Sequence, residues 1–316
     1  MTHLLGVALA MGALTADPGT TGWTPQPPVP VASVGLDVAT ANGTIVAVGG
    51  FNPLKPGVFS AAEASRTDGD GTWSRLPPMP TARANAAAAE LGGLVYVAGG
   101  FTDEDTLDVV ETFDPTLGSW SAAPRLPQPR GAAGAASLDG LLYVAGGLTT
   151  GDVVTNTVVA YNPAKRAWTT VAPMPTARWR LRLVAAGGRL YAIGGQSPDG
   201  DTLSTVERYD PVRNAWTPAA SMTQDRGVPG VVAVGGKIVV VGGCQFAGGQ
   251  LQSFRRTAEI YNVTTNQWLP IAAQLPHGRC SLGAAARADG SVLAIAGADD
   301  ASGATSATAE VDALKL

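Results

Sequence analysis

The stretch "LGGLVYVAGG", residues 91–100, contains the two features that decide the fold. Gly92-Gly93 is a two-residue turn signal, and both residues accept the positive φ that a type I′ β-hairpin requires. The run that follows is apolar at every position, as in a strand covered on both faces. It ends at the glycine doublet Gly99-Gly100. The stretch therefore predicts a hairpin whose second strand is central in a sheet.

The same unit recurs along the chain. Similar apolar runs end at Gly50, Gly100, Gly147, Gly195, Gly243 and, without a second glycine, Gly297. Tryptophans follow at intervals of 47 to 52 residues: Trp23, Trp73, Trp120, Trp168, Trp216 and Trp268. Turn signals precede the runs at Asn42-Gly43, Gly92-Gly93, Asp139-Gly140, Gly187-Gly188, Gly235-Gly236 and Asp289-Gly290. Self-similarity at this period is the signature of a repeat architecture.

Each repeat contains four strands. After the glycine doublet come a variable loop, a third strand such as "VVETF" (109–113), a turn, and a tryptophan strand that runs into proline. Proline cannot donate to a ladder, so the tryptophan strand is predicted to be the outer edge. The Trp23 strand has no hairpin before it, and the chain ends after a third strand, "AEVDAL" (309–314). Pairing these two ends closes a ring. We predict an all-β fold, a six-bladed β-propeller of four-stranded blades, whose last blade is closed by an N-terminal strand.

This pattern resembles the kelch repeat family over residues 20–316. Besides the doublets, an aromatic residue stands seven positions before the tryptophan in four repeats: Phe113, Tyr161, Tyr209 and Tyr261. Repeat one departs, because "SRTDGDGTW" (65–73) lacks the aromatic, and repeat six lacks both the aromatic and the second glycine. The resemblance implies one kelch propeller domain over residues 20–316.

An arginine stands where the innermost strand of most repeats begins, at Arg83, Arg130, Arg178, Arg226 and Arg279, with Ser33 in repeat one. Innermost strands line the channel of a propeller, so these arginines are predicted to ring one mouth. The resemblance to kelch domains implies that arginines at this position contact acidic peptide motifs. Loops after the doublets emerge at the same face, and "FAGGQLQSFRR" (246–256) is the longest, with Arg255 and Arg256 adding charge.

Strand alternation places Arg180 and Arg182 on the same side as Arg178, facing the channel. The equivalent of Arg182 in repeat one is Asp37, and blades one and four lie opposite each other in a six-membered ring. One interpretation is a structural plug made by an Asp37–Arg182 contact. Another is a carboxylate site made by Arg178, Arg180 and Arg182. A third is a shifted register in which Trp179, Leu181 and Leu183 face the channel.

The recurring glutamates are predicted to be structural, and the sequence leaves two interpretations of the cysteines. Glutamates recur in the third strand at Glu63, Glu111, Glu207, Glu259 and Glu310, and recurrence in five blades favours a structural role. Cys244 and Cys280 are predicted near the arginine face, either as a disulfide or as two buried thiols. With only two histidines, His3 and His277, a histidine-based metal centre is excluded, and we predict no metal and no cofactor.

The net charge limits the kinds of partner, and the N-terminal sequence indicates the cellular compartment. A net charge of −4 argues against a nucleic-acid partner. The apolar run "LLGVALAMGAL" (4–14) is too short to span a bilayer but has the length of a secretory h-region. Residues 1–19 are therefore read as a signal peptide or a disordered N-terminus, which favours export over a cytoplasmic location.

The predicted function is a binding module. An acidic protein or peptide, or a carboxylate-bearing small molecule, is expected at the arginine-ringed face. The alternative is an exported sugar-acid mutarotase or epimerase, similar to the bacterial kelch enzyme that acts on sialic acid, with Asp37 and Asn85 as the acid or base candidates in the channel. A closed channel pocket with a raised Asp37 pKa would favour the enzyme, and a wide, flat mouth would favour the peptide. A purely structural repeat domain is the third reading.

Overall fold

The structure is a computed structural model that describes residues 22–59, 61–299 and 306–316. The region read as a signal peptide lies outside the described residues. Within the described ranges every regular element is a β-strand, and no helix there is long and apolar enough to cross a membrane.

The strands follow the repeat. The first strand is β1 (Thr24–Gln26). Blade one contains β2 (Asp37–Ala41), β3 (Thr44–Val48), the loop hairpin β4 (Phe51–Asn52) and β5 (Lys55–Val58), then β6 (Ala62–Arg66) and β7 (Ser74–Arg75). Blade two contains β8 (Ala87–Leu91), β9 (Leu94–Ala98), β10 (Val110–Asp114) and β11 (Ser119–Ala123). Blade three contains β12 (Arg130–Gly131), β13 (Gly134–Leu138), β14 (Leu141–Ala145), β15 (Leu148–Thr149), β16 (Val153–Val154), β17 (Val158–Asn162) and β18 (Ala167–Val171).

The second half of the chain repeats this arrangement. Blade four contains β19 (Arg182–Ala186), β20 (Arg189–Ile193), β21 (Val206–Asp210) and β22 (Ala215–Ala219). Blade five contains β23 (Gly230–Val234), β24 (Lys237–Val241), the loop hairpin β25 (Cys244–Ala247) and β26 (Gln250–Phe254), then β27 (Ala258–Asn262) and β28 (Gln267–Ile271). Blade six contains β29 (Arg279–Cys280), β30 (Gly283–Ala286), β31 (Val292–Asp299) and β32 (Ser306–Leu314).

The innermost strands touch one another in a closed circle, in the order β2, β8, β13, β19, β23, β30 and back to β2. Six blades therefore surround the channel. The predicted closure is present, because β1 pairs antiparallel with β32, from Thr24 opposite Ala313 to Gln26 opposite Val311. The N-terminal strand thus supplies the outer edge of blade six.

The two-residue turns are confirmed in five blades. Both residues of each pair have positive φ, from 49° at Asn42 to 84° at Gly93. Blade six differs, because β30 ends at Ala286, β31 begins at Val292, and only Gly290 of its predicted pair has positive φ. The prediction of a two-residue turn at Asp289-Gly290 is wrong, since the connection there is a longer loop.

The glycine doublet joins neighbouring blades. The Gly100 N–H donates to the Arg130 carbonyl of the next blade at 2.9 Å, and a Cβ on Gly99 would lie 2.1 Å from that same oxygen. No other residue type allows this approach. Equivalent bonds run from Gly50, Gly147, Gly195, Gly243 and Gly297 to Arg83, Arg178, Arg226, Arg279 and Ser33. The doublet is therefore an inter-blade contact as well as a strand end.

A second set of backbone bonds forms a ring at the channel mouth. One residue per blade adopts a left-handed conformation, and its N–H donates to the carbonyl of the corresponding residue in the preceding blade. The six members are Gly35, Asn85, Ala132, Arg180, Val228 and Ser281, with N···O distances of 2.7 to 3.2 Å. We call this set the hub ring.

Candidate functional site

The five arginines that begin the blades lie inside the blades. Each is at most 2% exposed. Arg83 is representative, because its Nη1 donates to the carbonyls of Gly99 (3.0 Å) and Val109 (2.9 Å). The guanidinium thus ties the end of the second strand to the start of the third. Burying five such cations requires partners within the fold.

Carboxylates supply most of those partners. Arg83 pairs with Glu111 at 2.6 Å, Arg178 with Glu207 at 3.0 Å, and Arg226 with Glu259 at 3.0 Å. Arg279 pairs with Asp312, two residues beyond the predicted Glu310, whose side chain is exposed. The recurring glutamates of these three blades are therefore structural, as predicted, and the prediction for Glu310 is wrong.

Arg130 is the exception. No carboxylate of the described ranges pairs with it, and it donates to the Gly146 carbonyl and to the carbonyl and hydroxyl of Thr157, at 3.2 to 3.3 Å. Burial lowers the pKa of Arg130 to about 10.

These contacts correct the prediction of a ligand-binding ring. Arg83, Arg130, Arg178, Arg226 and Arg279 do not present guanidinium groups at a mouth, because their side chains turn into the blades and bond there. The sequence carried a signal for this, since each arginine with a glutamate partner precedes it by 28 to 33 residues in the same blade.

The stretch "RWRLR" places its three arginines in three environments. Arg178 is buried in the blade, Arg180 belongs to the hub ring, and Arg182 begins β19. Strict alternation of side-chain direction fails because Arg180 has a φ of 55°, outside the extended region of a strand. The prediction that all three side chains face the channel is therefore wrong for Arg178.

Arg182 reaches across the channel to Asp37, as the ring geometry predicts. Its Nη1 lies 3.1 Å from Asp37 Oδ1, and its other nitrogens donate to the carbonyls of Pro229 (2.8 Å) and Leu282 (3.0 Å). Asp37 also accepts the N–H groups of Val38 and Ala88. Burial raises the pKa of Asp37, and the Arg182 charge opposes that rise. This one guanidinium thus joins blades one, four, five and six, and the contact is a plug.

The space left in the channel is small. A cavity of about 70 Å³ adjoins Asp37, Arg182 and Gly134. Ligand pockets for drug-sized molecules are usually about 300–1,000 Å³. Beside the Asp37–Arg182 contact, the described part of the channel therefore has less room than a drug-sized ligand needs.

Arg182→Ala is expected to lower the free energy of unfolding by about 2 kcal/mol, because it removes three bonds from a charged group and leaves Asp37 without its cation. Chemical denaturation measures the loss. The double variant Asp37→Asn/Arg182→Ala is the control and is expected to be more stable than Arg182→Ala. Equal stability of the two variants would contradict the plug.

Arg180 is held differently from Arg182 and from the five arginines that begin the blades. Its Nη1 donates to Gln196 Oε1 at 2.8 Å, and no described carboxylate pairs with it. The guanidinium carbon lies 4.1 Å from the centroid of the Trp179 ring and 5.1 Å from that of Phe246. Burial lowers its pKa to about 10, so the group remains a cation at neutral pH. A half-buried cation between two aromatic faces is a ready partner for an anion.

The surroundings of Arg180 place it at the channel mouth. Asn85, Ala132 and Val228 of the hub ring lie beside it. Asn85 is half-buried, has a φ of 50°, and directs its side-chain oxygen toward Gly35 of the hub ring. Phe246 comes from the long loop of blade five, which folds as the β25–β26 hairpin. The predicted charges of that loop are bound, since Arg255 pairs with Asp225 and Arg256 donates to the Leu275 carbonyl.

A disulfide fixes this hairpin to the next blade. Cys244 at the start of β25 is bonded to Cys280 in β29, and both residues are buried. Of the two readings left open by the sequence, the structure has the disulfide.

Comparison with known proteins agrees with this architecture. The KLHDC2/KLHL20/DRC7 Kelch-repeats domain model matches residues 17–195, and the Kelch motif model matches residues 180–223 and 229–273. A solved structure of YjhT superposes with a TM-score of 0.77 at 16% sequence identity, covering 92% of this chain and 99% of YjhT. No curated protein matches the chain.

The fold is thus that of a kelch propeller, with four-stranded blades around a plugged channel. The chain belongs to the kelch-repeat family. At 16% identity the likeness to YjhT concerns the fold alone.

Proposed function

We propose that this propeller is a binding module for a carboxylate-bearing partner, such as an acidic peptide segment, which docks at the channel mouth on Arg180. The observation that carries the proposal is the state of that guanidinium. It is the one arginine around the channel that is neither enclosed within a blade nor paired with a carboxylate among the described residues. A guanidinium offers five N–H donors, and one of them is used by Gln196.

The environment of Arg180 supports this role. The Trp179 and Phe246 rings lie 4.1 and 5.1 Å from the guanidinium carbon, where cation–π attraction stabilises its charge. Gln196 is fully buried, so it fixes the orientation of Arg180. The disulfide and the loop hairpin hold Phe246 on a rigid scaffold. Pre-ordered loops lose little entropy on binding.

Arg180→Met is expected to weaken binding of a blocked Asp-Glu-Glu peptide about tenfold, because methionine keeps the apolar stem and removes the charged hydrogen bonds. Titration of the fluorescently labelled peptide measures the affinity. Arg213→Met is the matched control, since Arg213 is exposed in the turn between β21 and β22. Equal affinity of wild type and Arg180→Met would refute the site.

The sugar-acid enzyme remains the alternative. A closed channel pocket and the raised Asp37 pKa are the features that favour it. Two observations oppose it: the cavity of about 70 Å³ is far smaller than a sugar-acid site needs, and Asp37 is already bonded to Arg182. N-acetylneuraminate serves as the second probe in the same titration, and loss of its binding in Arg182→Ala but not in Arg180→Met would favour the channel.

We further propose export, with residues 1–19 removed as a signal peptide and residues 20–316 acting as the binding domain. The Cys244–Cys280 disulfide supports an oxidising compartment. Expression with the native N-terminus and mass analysis of the secreted product tests this, and an intact Met1 in the cell lysate with two alkylatable thiols would oppose it.

A further inference from the structure

Blade one contains half of the buried ion pair found in its neighbours. Glu63 lies opposite Ala47 in the strand pairing of blade one, as Glu111 lies opposite Val97 in blade two. The arginine position of blade one, however, is Ser33. The Ser33 hydroxyl donates to the Gly49 carbonyl at 3.0 Å, the carbonyl equivalent to the one that Arg83 binds. The blade therefore keeps the carboxylate without its guanidinium.

The Glu63 carboxylate is buried and incompletely bonded. The side chain belongs to a residue that is 5% exposed, and no described group donates to Oε1. The carboxylate accepts the backbone N–H of Val31, and at the corresponding position of blade two the Thr81 side-chain hydroxyl donates to Glu111 at 2.8 Å. Glu111 has a second donor, Arg83, and Glu63 has none among the residues that the structure describes. A buried carboxylate oxygen without a donor is costly when it is ionised.

Open space adjoins the Glu63 side chain. A cavity of about 10 Å³, enough for one water, is lined by Ser33, Gly49 and Glu63. A groove of about 240 Å³ is also lined by Glu63, together with Val31 and Leu76. The groove is apolar apart from Glu63 and the exposed Arg75, whose backbone pairs with that of Glu63. Its walls suit an aliphatic stem, and its end suits a cationic head group.

We propose that this groove binds a guanidinium or primary ammonium group from outside the fold, which docks on Glu63 and completes the ion pair of blade one. The site is separate from Arg180 and does not depend on the function proposed above. Its ligand is a cation on an aliphatic chain, carried by a small amine or by an arginine or lysine side chain of another protein.

The protonation state of Glu63 makes the binding depend on pH. Burial raises the pKa of Glu63 to about 7, and the positive charge of Arg75 lowers the pKa against that effect. Below pH 7 the neutral acid has no charge to attract a cation. Above pH 7 the ionised carboxylate does. Affinity for a cation is therefore expected to rise from pH 6 to pH 8.

Agmatine is the probe for the small-molecule source, and a blocked Gly-Arg-Gly peptide is the probe for a protein side chain. Calorimetric titration at pH 8 compares wild type with Glu63→Gln and Ser33→Arg. At least one probe is expected to bind wild type. Glu63→Gln is expected to bind at least tenfold more weakly, because the amide carries no charge. Ser33→Arg is expected to abolish binding and to raise the melting temperature, because it restores the internal arginine.

Two control variants accompany the titration. Asp103→Asn, which removes an exposed carboxylate in blade two, is expected to leave agmatine affinity unchanged. Arg75→Gln is expected to keep or strengthen binding, since it removes a competing cation from the groove. If Ser33→Arg fails to fold, Glu63→Gln still decides. The proposal is overturned if neither probe binds wild type at pH 8, or if Glu63→Gln binds as tightly as wild type.

Discussion

Arg226→Met is expected to lower the free energy of unfolding by about 3–5 kcal/mol, because it leaves the Glu259 carboxyl group buried without its cationic partner. Arg226 is fully buried and bonds Glu259, the Gly242 carbonyl and the Thr257 carbonyl. These contacts tie together the second and third strands of blade five and the start of that blade. Chemical denaturation monitored by tryptophan fluorescence measures the change.

Two variants test whether the orphaned charge causes the loss. Arg226→Met/Glu259→Leu is expected to recover at least half of it, since replacing a whole buried pair by apolar residues is often nearly neutral. Arg130→Met is expected to lower the free energy of unfolding by only about 1–2 kcal/mol, because it removes hydrogen bonds to carbonyl groups and leaves no described carboxylate without its cation. Similar losses in Arg226→Met and Arg130→Met would show that packing, and not charge, dominates.

Removing the disulfide is the second large effect. Cys244→Ala/Cys280→Ala is expected to lower the free energy of unfolding by roughly 4 kcal/mol, as the chain-entropy model gives for a loop closed over a separation of 36 residues. The bond also anchors the hairpin that carries Phe246, so peptide affinity at the mouth is expected to fall. Denaturation with and without dithiothreitol measures the effect on stability.

The matched control for this experiment is wild type under reducing conditions. Reduced wild type is expected to match the double alanine variant, apart from the volume of the two sulfur atoms. If dithiothreitol leaves the wild-type transition unchanged while the variant is strongly destabilised, the loss comes from packing around Cys244 and Cys280 and not from the covalent bond.

The fold could be predicted from the sequence because its determinants are local and repeated. Glycine doublets, turn pairs and tryptophans each report on a few neighbouring residues, and their common period sets the number of blades. The closure of blade six followed from counting strands at the two ends. The prediction of a two-residue turn at Asp289-Gly290 failed because such a pair forms a tight hairpin only where both flanking strands extend to it. Strand β30 ends at Ala286, three residues before Asp289.

The candidate site was harder to predict, because side-chain direction depends on single dihedral angles. A positive φ at Arg180 separates Arg178 from Arg182, and alternation cannot anticipate it. The direction of the Arg178 side chain depends on its ion pair with Glu207, a residue of another strand of the blade. The Asp37–Arg182 contact was predictable, since it follows from blade count and strand position alone. The aromatic contact between Arg180 and Phe246 was not, because it depends on a variable loop.

The hub ring has a consequence for how the molecule comes apart. Its six amide dipoles follow one another head to tail, and each blade is at once a donor to one neighbour and an acceptor from the other. No blade can leave without breaking a bond on both sides. Because β1 closes blade six by pairing with β32 through three residues only, we expect unfolding to start by detachment of the short strand Thr24–Gln26. We therefore expect the resistance of the propeller to unfolding to depend more on the β1–β32 pairing than on the contacts between the other blades.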